Sequence, residues 1–439
     1  MRFTSIVSIT LVIALTACSS MSSMLPSTGG PSAPSAPTTG SNEESAPTSV
    51  ETPPETESAA QPESAKTAQP SGTSATTPAL HPTAAQLGLW PRAGQSMRVC
   101  AAVRTGYARC LSWVRTDVKG LIRNATPGGY GPSDLGKAYG LTAYSSGSGR
   151  TVAIVDAFVD PNAGKDLAVY RARYGLPACN GSNGCFATKA FGKQTNISWA
   201  QEESLDVDMV SAICPGCHIL LVEAASNSLS ALATAEKYAT THANYVSNSW
   251  SGDEASKAYD SIFNVSGVAI TAATGDNGHN KVAQWPAILP TVTAVGGTSL
   301  TSISPRAESA WSGAGSGCSK IYAKPSFQSG LSTGCSLRAQ ADVSAVANPN
   351  TGVAVYDTFH SYGWLVFGGT SVATPIIASV FALAGNTANN NDAYLYGHSA
   401  SLNDVTSGSN GTCGVPMCMA AKGWDGPTGL GTPKGISAF

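Results

Sequence analysis

The chain has 439 residues, enough for one large domain or two ordinary ones. A net charge of −2 leaves no general electrostatic case for a nucleic-acid partner or an anionic surface. Charged residues make up only 12% of the chain, roughly half the usual share, so acidification changes its charge little, which suits an acidic setting.

Residues 1–17 read as an export signal, with Arg2 as the positive start and Ile6 to Leu15 as the apolar core. The apolar run is too short for a stable membrane span. It ends Leu15-Thr16-Ala17-Cys18, which resembles a bacterial lipobox, where the cysteine becomes the lipidated first residue. Cys18 would then tether the chain to an envelope membrane, periplasmic or surface-exposed. An ordinary secretory signal is the alternative. Residues 18–95 are rich in Ser, Pro, Thr, Ala and Glu and cannot bury enough apolar surface to offset ordering entropy. They are expected to be a disordered spacer.

From Met97 the composition becomes globular, and residues 96–128 read as a short cysteine-containing entry segment. Without Cys18, ten cysteines remain in five close pairs: Cys100/Cys110, Cys179/Cys185, Cys214/Cys217, Cys318/Cys335 and Cys413/Cys418. An even count in an exported chain predicts disulfides, with nearest-neighbour pairing the simplest pattern. Gly129 to Leu135 predicts a turn and a helix cap. Strands are then expected at 151–156, 218–222, 245–250, 268–273 and 292–295, and helices at 162–174, 198–213 and 229–243. Continuous apolar strands alternating with helices mean an α/β fold, a doubly wound parallel sheet with helices on both faces. Ligands bind beyond the carboxyl ends of such strands.

Gly368-Gly369-Thr370-Ser371 opens the apolar segment Val372 to Gly385. A serine at the mouth of a buried helix is well placed for nucleophilic attack, although Thr370 or Ser371 could equally serve as a helix cap. A nucleophilic serine needs a base. None of the six histidines stands in a Gly-rich strand-to-helix setting. Glu202 and Asp206, four apart on a predicted helix, stack on one face and could share a proton; a solvated acidic face is the alternative. Asp276, in Gly275-Asp276-Asn277-Gly278 at a strand end, would donate to an oxyanion if protonated, or would simply form a turn.

Together these motifs resemble the sedolisin family of serine-carboxyl peptidases, with a subtilisin-like fold, over residues 129–439. The family pattern is Glu-x-x-x-Asp on one helix, a Gly-Asp-x-Gly turn and a Gly-Thr-Ser-x-Ala-x-Pro helix start. The resemblance implies Ser371 as nucleophile, Glu202 as base, Asp206 as its supporting acid and Asp276 as oxyanion donor. Asp156 stands where some members place a further acid behind the base. The resemblance also implies a calcium site from the carboxylates of Asp404 and Asp425 and the main-chain carbonyls of Val405, Ala421 and Gly423, all of them oxygen ligands. Ser249-Trp250-Ser251-Gly252 matches a family strand that pairs with substrate, with Ser251 where some relatives have glycine. Many members carry a large amino-terminal prodomain, whereas the region before Gly129 is mostly spacer here.

The function expected is an acid-acting endopeptidase with protein or peptide substrates, as a monomer. An inactive, calcium-stabilised surface binding protein is the second reading. A third, haem c attachment at Cys214-Pro215-Gly216-Cys217-His218, rests on a short motif alone.

Overall fold

The computed structural model describes residues 95–118, 127–142, 147, 149–253, 257–361, 363–386 and 392–439. The export signal, Cys18 and the spacer up to residue 94 lie outside the described residues.

Three short strands come first: β1 (Ser96–Arg98), β2 (Arg109–Cys110) and β3 (Trp113–Arg115). The turn expected at 129–135 leads into α1 (Pro132–Ala138), where the Gly131 N–H donates to Asp134. Strands and helices then alternate: β4 (Thr151–Ala157), α2 (Ala163–Arg173), β5 (Phe186–Ala190), α3 (Ile197–Ile213), β6 (His218–Ala224), α4 (Leu229–His242), β7 (Tyr245–Asn248), β8 (Trp250–Ser251) and β9 (Ala269–Ala273). Next come β10 (His279–Val282), β11 (Thr293–Ile303), β12 (Arg306–Ala310), β13 (Ser316–Ala323), β14 (Leu337–Gln340), β15 (Val343–Val346), β16 (Val353–Asp357) and β17 (Gly363–Gly368). Helices α5 (Thr370–Ala384) and α6 (Ala393–Gly397) follow, then β18 (Leu402–Asn403) and β19 (Thr432–Pro433).

The central sheet runs β5-β6-β4-β7-β9-β11, all parallel. The first half of β11 also pairs β15 in parallel, and its second half pairs β12 antiparallel. Alternate residues of β4 feed two different cores. Val152 and Ile154 pack with α3 and α5 on one face, while Ala153 and Val155 pack with α4 on the other. That division is why the strands read as nearly unbroken apolar runs. The α/β, doubly wound, subtilisin-like architecture expected from the alternation is therefore present.

Two strands differ from expectation in an informative way. The run 245–250 breaks at Ser249, and β8 leaves the central sheet to pair antiparallel with β2. The run beginning at 292 extends to Ile303, because β12 supplies a partner after β15 ends. All five neighbouring cysteine pairs are disulfides. Cys214 and Cys217 are thus joined to each other, which removes the two thiols a haem c linkage needs. No helix among the described residues is long and apolar enough to cross a membrane.

Candidate active site

Helix α3 starts at Asn196, whose side chain accepts from the Ser198 and Trp199 N–H groups. It then lies between α5 and β4 on one side and α1, α2 and β16 on the other. Every side chain from Glu202 to Ile213 is buried as a result. Four of these are acids: Glu202, Glu203, Asp206 and Asp208.

Glu202 and Asp206 sit one turn apart on the face toward α5. Asp206 Oδ1 accepts from Ser249 Oγ at 2.9 Å, while its Oδ2 has no partner. No hydrogen bond of good geometry reaches either Glu202 oxygen. Burial pushes the Glu202 pKa up, and the Ser112 and Ser371 hydroxyls nearby pull it partly back. Burial and then Glu202 itself push Asp206 up. Two acids this close, without a cation, are stable only if protons are retained between them. Asp156, near the end of β4, is raised by burial first and then by Asp206 and Glu202.

Helix α5 brings the serine. Gly369 precedes it with φ of +103°, a conformation few other residues adopt. A β-carbon at Gly369 would lie 2.2 Å from the Leu111 carbonyl oxygen and 2.9 Å from Asp276 Oδ2, so glycine is needed for space as well. Pro375 lacks the N–H that would bond back to Ser371. The freed Ser371 carbonyl instead accepts from Ser249 Oγ at 3.3 Å. Ser371 Oγ donates to the Ser249 carbonyl at 3.0 Å. Ser249, at the break between β7 and β8, therefore touches both the hydroxyl residue and the acid pair.

Asp276 follows β9 at the carboxyl edge of the sheet. Its Oδ1 accepts from the Thr370 N–H and from Thr370 Oγ1, both at 2.8 Å. Its Oδ2, beside Gly369, has no partner. Burial raises its pKa to about 6, against the lowering effect of Thr370 and of Arg98 and Arg109. A neutral Asp276 would thus carry a free proton donor at the helix mouth, next to the Ser371 N–H.

The entry segment completes the site, and sequence reasoning did not place it there. The Ser371 N–H donates to the Leu111 carbonyl at 3.1 Å, and the Leu111 N–H to the Ser249 carbonyl at 3.1 Å. Ser112 lies beside Glu202. Arg98 stacks over Trp113, 4.5 Å from the ring, and donates to the Asp276 carbonyl at 2.7 Å. Only the tight Cys100/Cys110 spacing hinted that this segment is structured. The break at Ser249, which exposes that residue's polar groups to both acid and serine, also had no sequence signature.

Asp404 and Asp425 come together in the C-terminal loops, which β18 and β19 hold as an antiparallel pair. The Gly423 N–H donates to Asp404 Oδ2 at 3.0 Å and the Ala421 N–H to Asp425 Oδ2 at 3.1 Å. Val405 is buried beside Asp404. Two carboxylates among main-chain oxygens, with no nitrogen or sulfur donor among the five residues, fit a hard cation such as calcium. All nine candidate residues thus fall into two groups, one at the α3–α5–β9 junction and one in the C-terminal loops.

A family model described as the subtilase family matches residues 186–407, half of the chain. The chain is 29% identical over 363 residues to kumamolisin of Bacillus sp. (strain MN-32), covering 72% of this chain and 64% of that protein. It is 36% identical over 179 residues to sedolisin of Pseudomonas sp. (strain 101), covering 36% of this chain and 30% of that protein. The match therefore spans less than two thirds of the length of these relatives. A solved structure of Pseudomonas sedolisin, a serine-carboxyl proteinase complexed with two molecules of pseudo-iodotyrostatin, superposes with a TM-score of 0.61. It is 25% identical, over 71% of this chain and 96% of that one.

Proposed function

Because the chain belongs to the subtilase family, and to its sedolisin or serine-carboxyl group, we propose that it is a serine-type endopeptidase that hydrolyses peptide bonds at acidic pH. The observation that carries this reading is convergence. A hydroxyl from α5, an acid pair from α3 and a third acid after β9 meet in one buried place, with Ser249 bridging the first two.

Ser371 Oγ attacks the peptide carbonyl and Glu202 accepts its proton. The hydroxyl now directed at the Ser249 carbonyl needs only a rotation about its side-chain bond to face Glu202 instead. Asp206 shares charge with Glu202 and is held by Ser249, so the base stays oriented. The Ser371 N–H and a protonated Asp276 donate to the oxyanion, in a site whose side chains are buried. Glu202 then returns the proton to the leaving amine. Glu202 must be free of its own proton to act as base, whereas Asp276 must keep its proton to act as donor. Asp276 is raised only to about 6, so rates should fall as pH passes that value and its donor is lost.

Calcium, when bound to Asp404, Asp425 and the carbonyls of Val405, Ala421 and Gly423, supplies charge that neutralises two neighbouring carboxylates. These residues themselves tie two loops across β18 and β19. Chelation should lower the thermal midpoint without touching the acid pair. Cys18 as a lipid anchor to an envelope membrane, and a monomeric state, complete the proposal.

A pH–rate profile on denatured protein tests the mechanism, with Ser371→Ala and Glu202→Ala as controls. Hydrolysis by either variant at the parent rate would reject it. The non-catalytic binding-protein reading draws on one observation, the complete burial of Ser371. Capture of a peptide aldehyde at Ser371 by the enzyme, and not by Ser371→Ala, separates the two.

A further inference from the structure

The candidate cleft is already filled by the chain itself. Residues Arg109–Cys110 add an antiparallel strand to Trp250–Ser251, the stretch expected to pair with an extended peptide. The Leu111 carbonyl then takes the Ser371 N–H, and its oxygen lies against Gly369. Ser112 follows, beside Glu202. Ala108, Cys110, Leu111 and Ser112 are all buried, and so are Ser371, Glu202 and Asp276 beneath them. A carbonyl that accepts from the Ser371 N–H, with backbone paired to a strand edge, is how a bound peptide would lie.

The surroundings of this one peptide bond are also distinctive. Before it, Cys110 is joined to Cys100. After it, the Ser112 carbonyl accepts from the Val99 N–H at 3.0 Å, and Trp113, Val114 and Arg115 pair with Arg98, Met97 and Ser96. Both flanks of the Leu111–Ser112 bond are therefore fastened to the same short stretch, residues 96–100. Strand β3 is further paired to β17, which leads directly into Ser371.

We propose that residues 96–115 are a built-in, substrate-like occupant of the cleft, which presents the Leu111–Ser112 bond to Ser371 and keeps both ends of that bond in place. This rests on the endopeptidase reading above. In the chemical step, Ser371 Oγ bonds to the Leu111 carbonyl carbon and the bond to the Ser112 nitrogen breaks. The Ser371 proton passes through Glu202 to the Ser112 amine. Strand β3 holds that amine beside the new ester, so it can attack and restore the peptide bond, returning the proton by the same path. Water completes the cut only when the Ser112 end moves away. A tethered occupant acts at an effective concentration on the order of millimolar, so a dilute outside peptide competes poorly. The occupant also names a substrate class: extended peptides with a leucine-sized apolar residue before the cleaved bond.

The experiment uses the full chain at acidic pH. A quenched peptide with leucine before the cleaved bond reports turnover, and a peptide leucinal reports access to Ser371. The unmodified chain is compared with Cys100→Ser/Cys110→Ser, which frees one flank. Leu111→Asp, which puts a charge into the buried position, is a second opened variant should the first fail to fold. Opened variants should turn over peptide and capture the aldehyde at least roughly tenfold faster than the unmodified chain. Mass spectrometry of the unmodified chain should find a slow cut between Leu111 and Ser112, absent from Ser371→Ala. Equal rates in the unmodified chain and opened variants would overturn the occupant while leaving the endopeptidase standing. So would a self-cut at another bond in this segment. Silence of every variant toward both probes would overturn the endopeptidase reading, and the occupant with it.

Discussion

Two places in this molecule bury several carboxylates, and they solve the problem in opposite ways. Around Arg338, a guanidinium with no exposure makes two bonds to Asp342, at 2.6 and 3.0 Å, and lies 3.7 Å from Asp392. Burial disfavours the Arg338 charge, but Asp342 outweighs it and holds the pKa above its ordinary value. The Ala294 N–H and Tyr396 Oη donate further to the Asp342 carboxylate, and Thr293 Oγ1 to Asp392 Oδ1, while Asp392 Oδ2 has no hydrogen-bond partner. Around α3, the acids Glu202, Glu203, Asp206, Asp208 and Asp156 are as deeply buried, yet no ion pair among the described residues includes any of them. Burial raises every one of their pKa values. The difference teaches that burial alone does not decide protonation. Arg338 is bonded directly to Asp342, although Asp392 beside it is still raised by burial and by Asp342, whereas Glu202, Asp206 and Asp156 have no such ion pair and hold protons.

The largest expected effect comes from breaking the charged cluster. Arg338→Met leaves Asp342 buried without its paired charge and should destabilise the fold by about 3–5 kcal/mol. Thermal or urea unfolding at constant pH measures this. A loss under 1 kcal/mol would mean that the Arg338 charge does not hold this cluster together, and the contrast would collapse.

The second effect is pH itself. Asp160 and Glu223 are raised to about 7 by burial, Glu236 to about 8 and Asp276 to about 6. In the unfolded chain these groups lose protons near pH 4. Between those values the native state binds more protons, so stability is fully present below about pH 4 and declines as pH rises toward 8. The thermal midpoint should fall by roughly 5–10 °C across that window. A midpoint that rises over the same range would contradict neutral acids in the core.

The smallest effect sharpens the comparison at a single site. Glu203 is buried, with neither oxygen partnered, and is raised by burial, then by Asp156 and Glu223. Glu203→Gln keeps the shape and removes the titration. Stability at pH 4 should change by about 0.5 kcal/mol or less, while the midpoint at pH 7 should rise by a few degrees. Parallel midpoint curves for parent and variant would show that Glu203 does not titrate in this window.

Much of the fold was legible because its signals are local. The apolar runs at 151–156, 218–222 and 268–273 correspond to β4, β6 and β9, and the predicted helices to α2, α3 and α4, with ends differing by a residue or two. The strands from 306 to 368 were less legible. Arg306–Ala310, for example, alternates polar and small residues and lies half-exposed, so little apolar patterning marks it. At the site, the four-residue spacing of Glu202 and Asp206 was enough to place them on one helical face. The glycine pair before Thr370 was enough to suggest a close backbone approach. The entry segment was not legible, because its role depends on what it touches rather than on what it contains.

The sequence by itself therefore determined the alternation of strands and helices, the pairing of neighbouring cysteines, and the residue types able to supply a hydroxyl, a base and a neutral acid. Those follow from periodicity, short loops and side-chain chemistry, all of which act over a few residues. Only the tertiary structure decided that Ser249 bridges Ser371 to Asp206, that no ion pair among the described residues includes Glu202 or Asp206, and that Leu111 lies over Ser371. Each of these joins segments far apart in the chain, where contact is set by the packing of α3 and α5 on one sheet and by strand pairing at its edge.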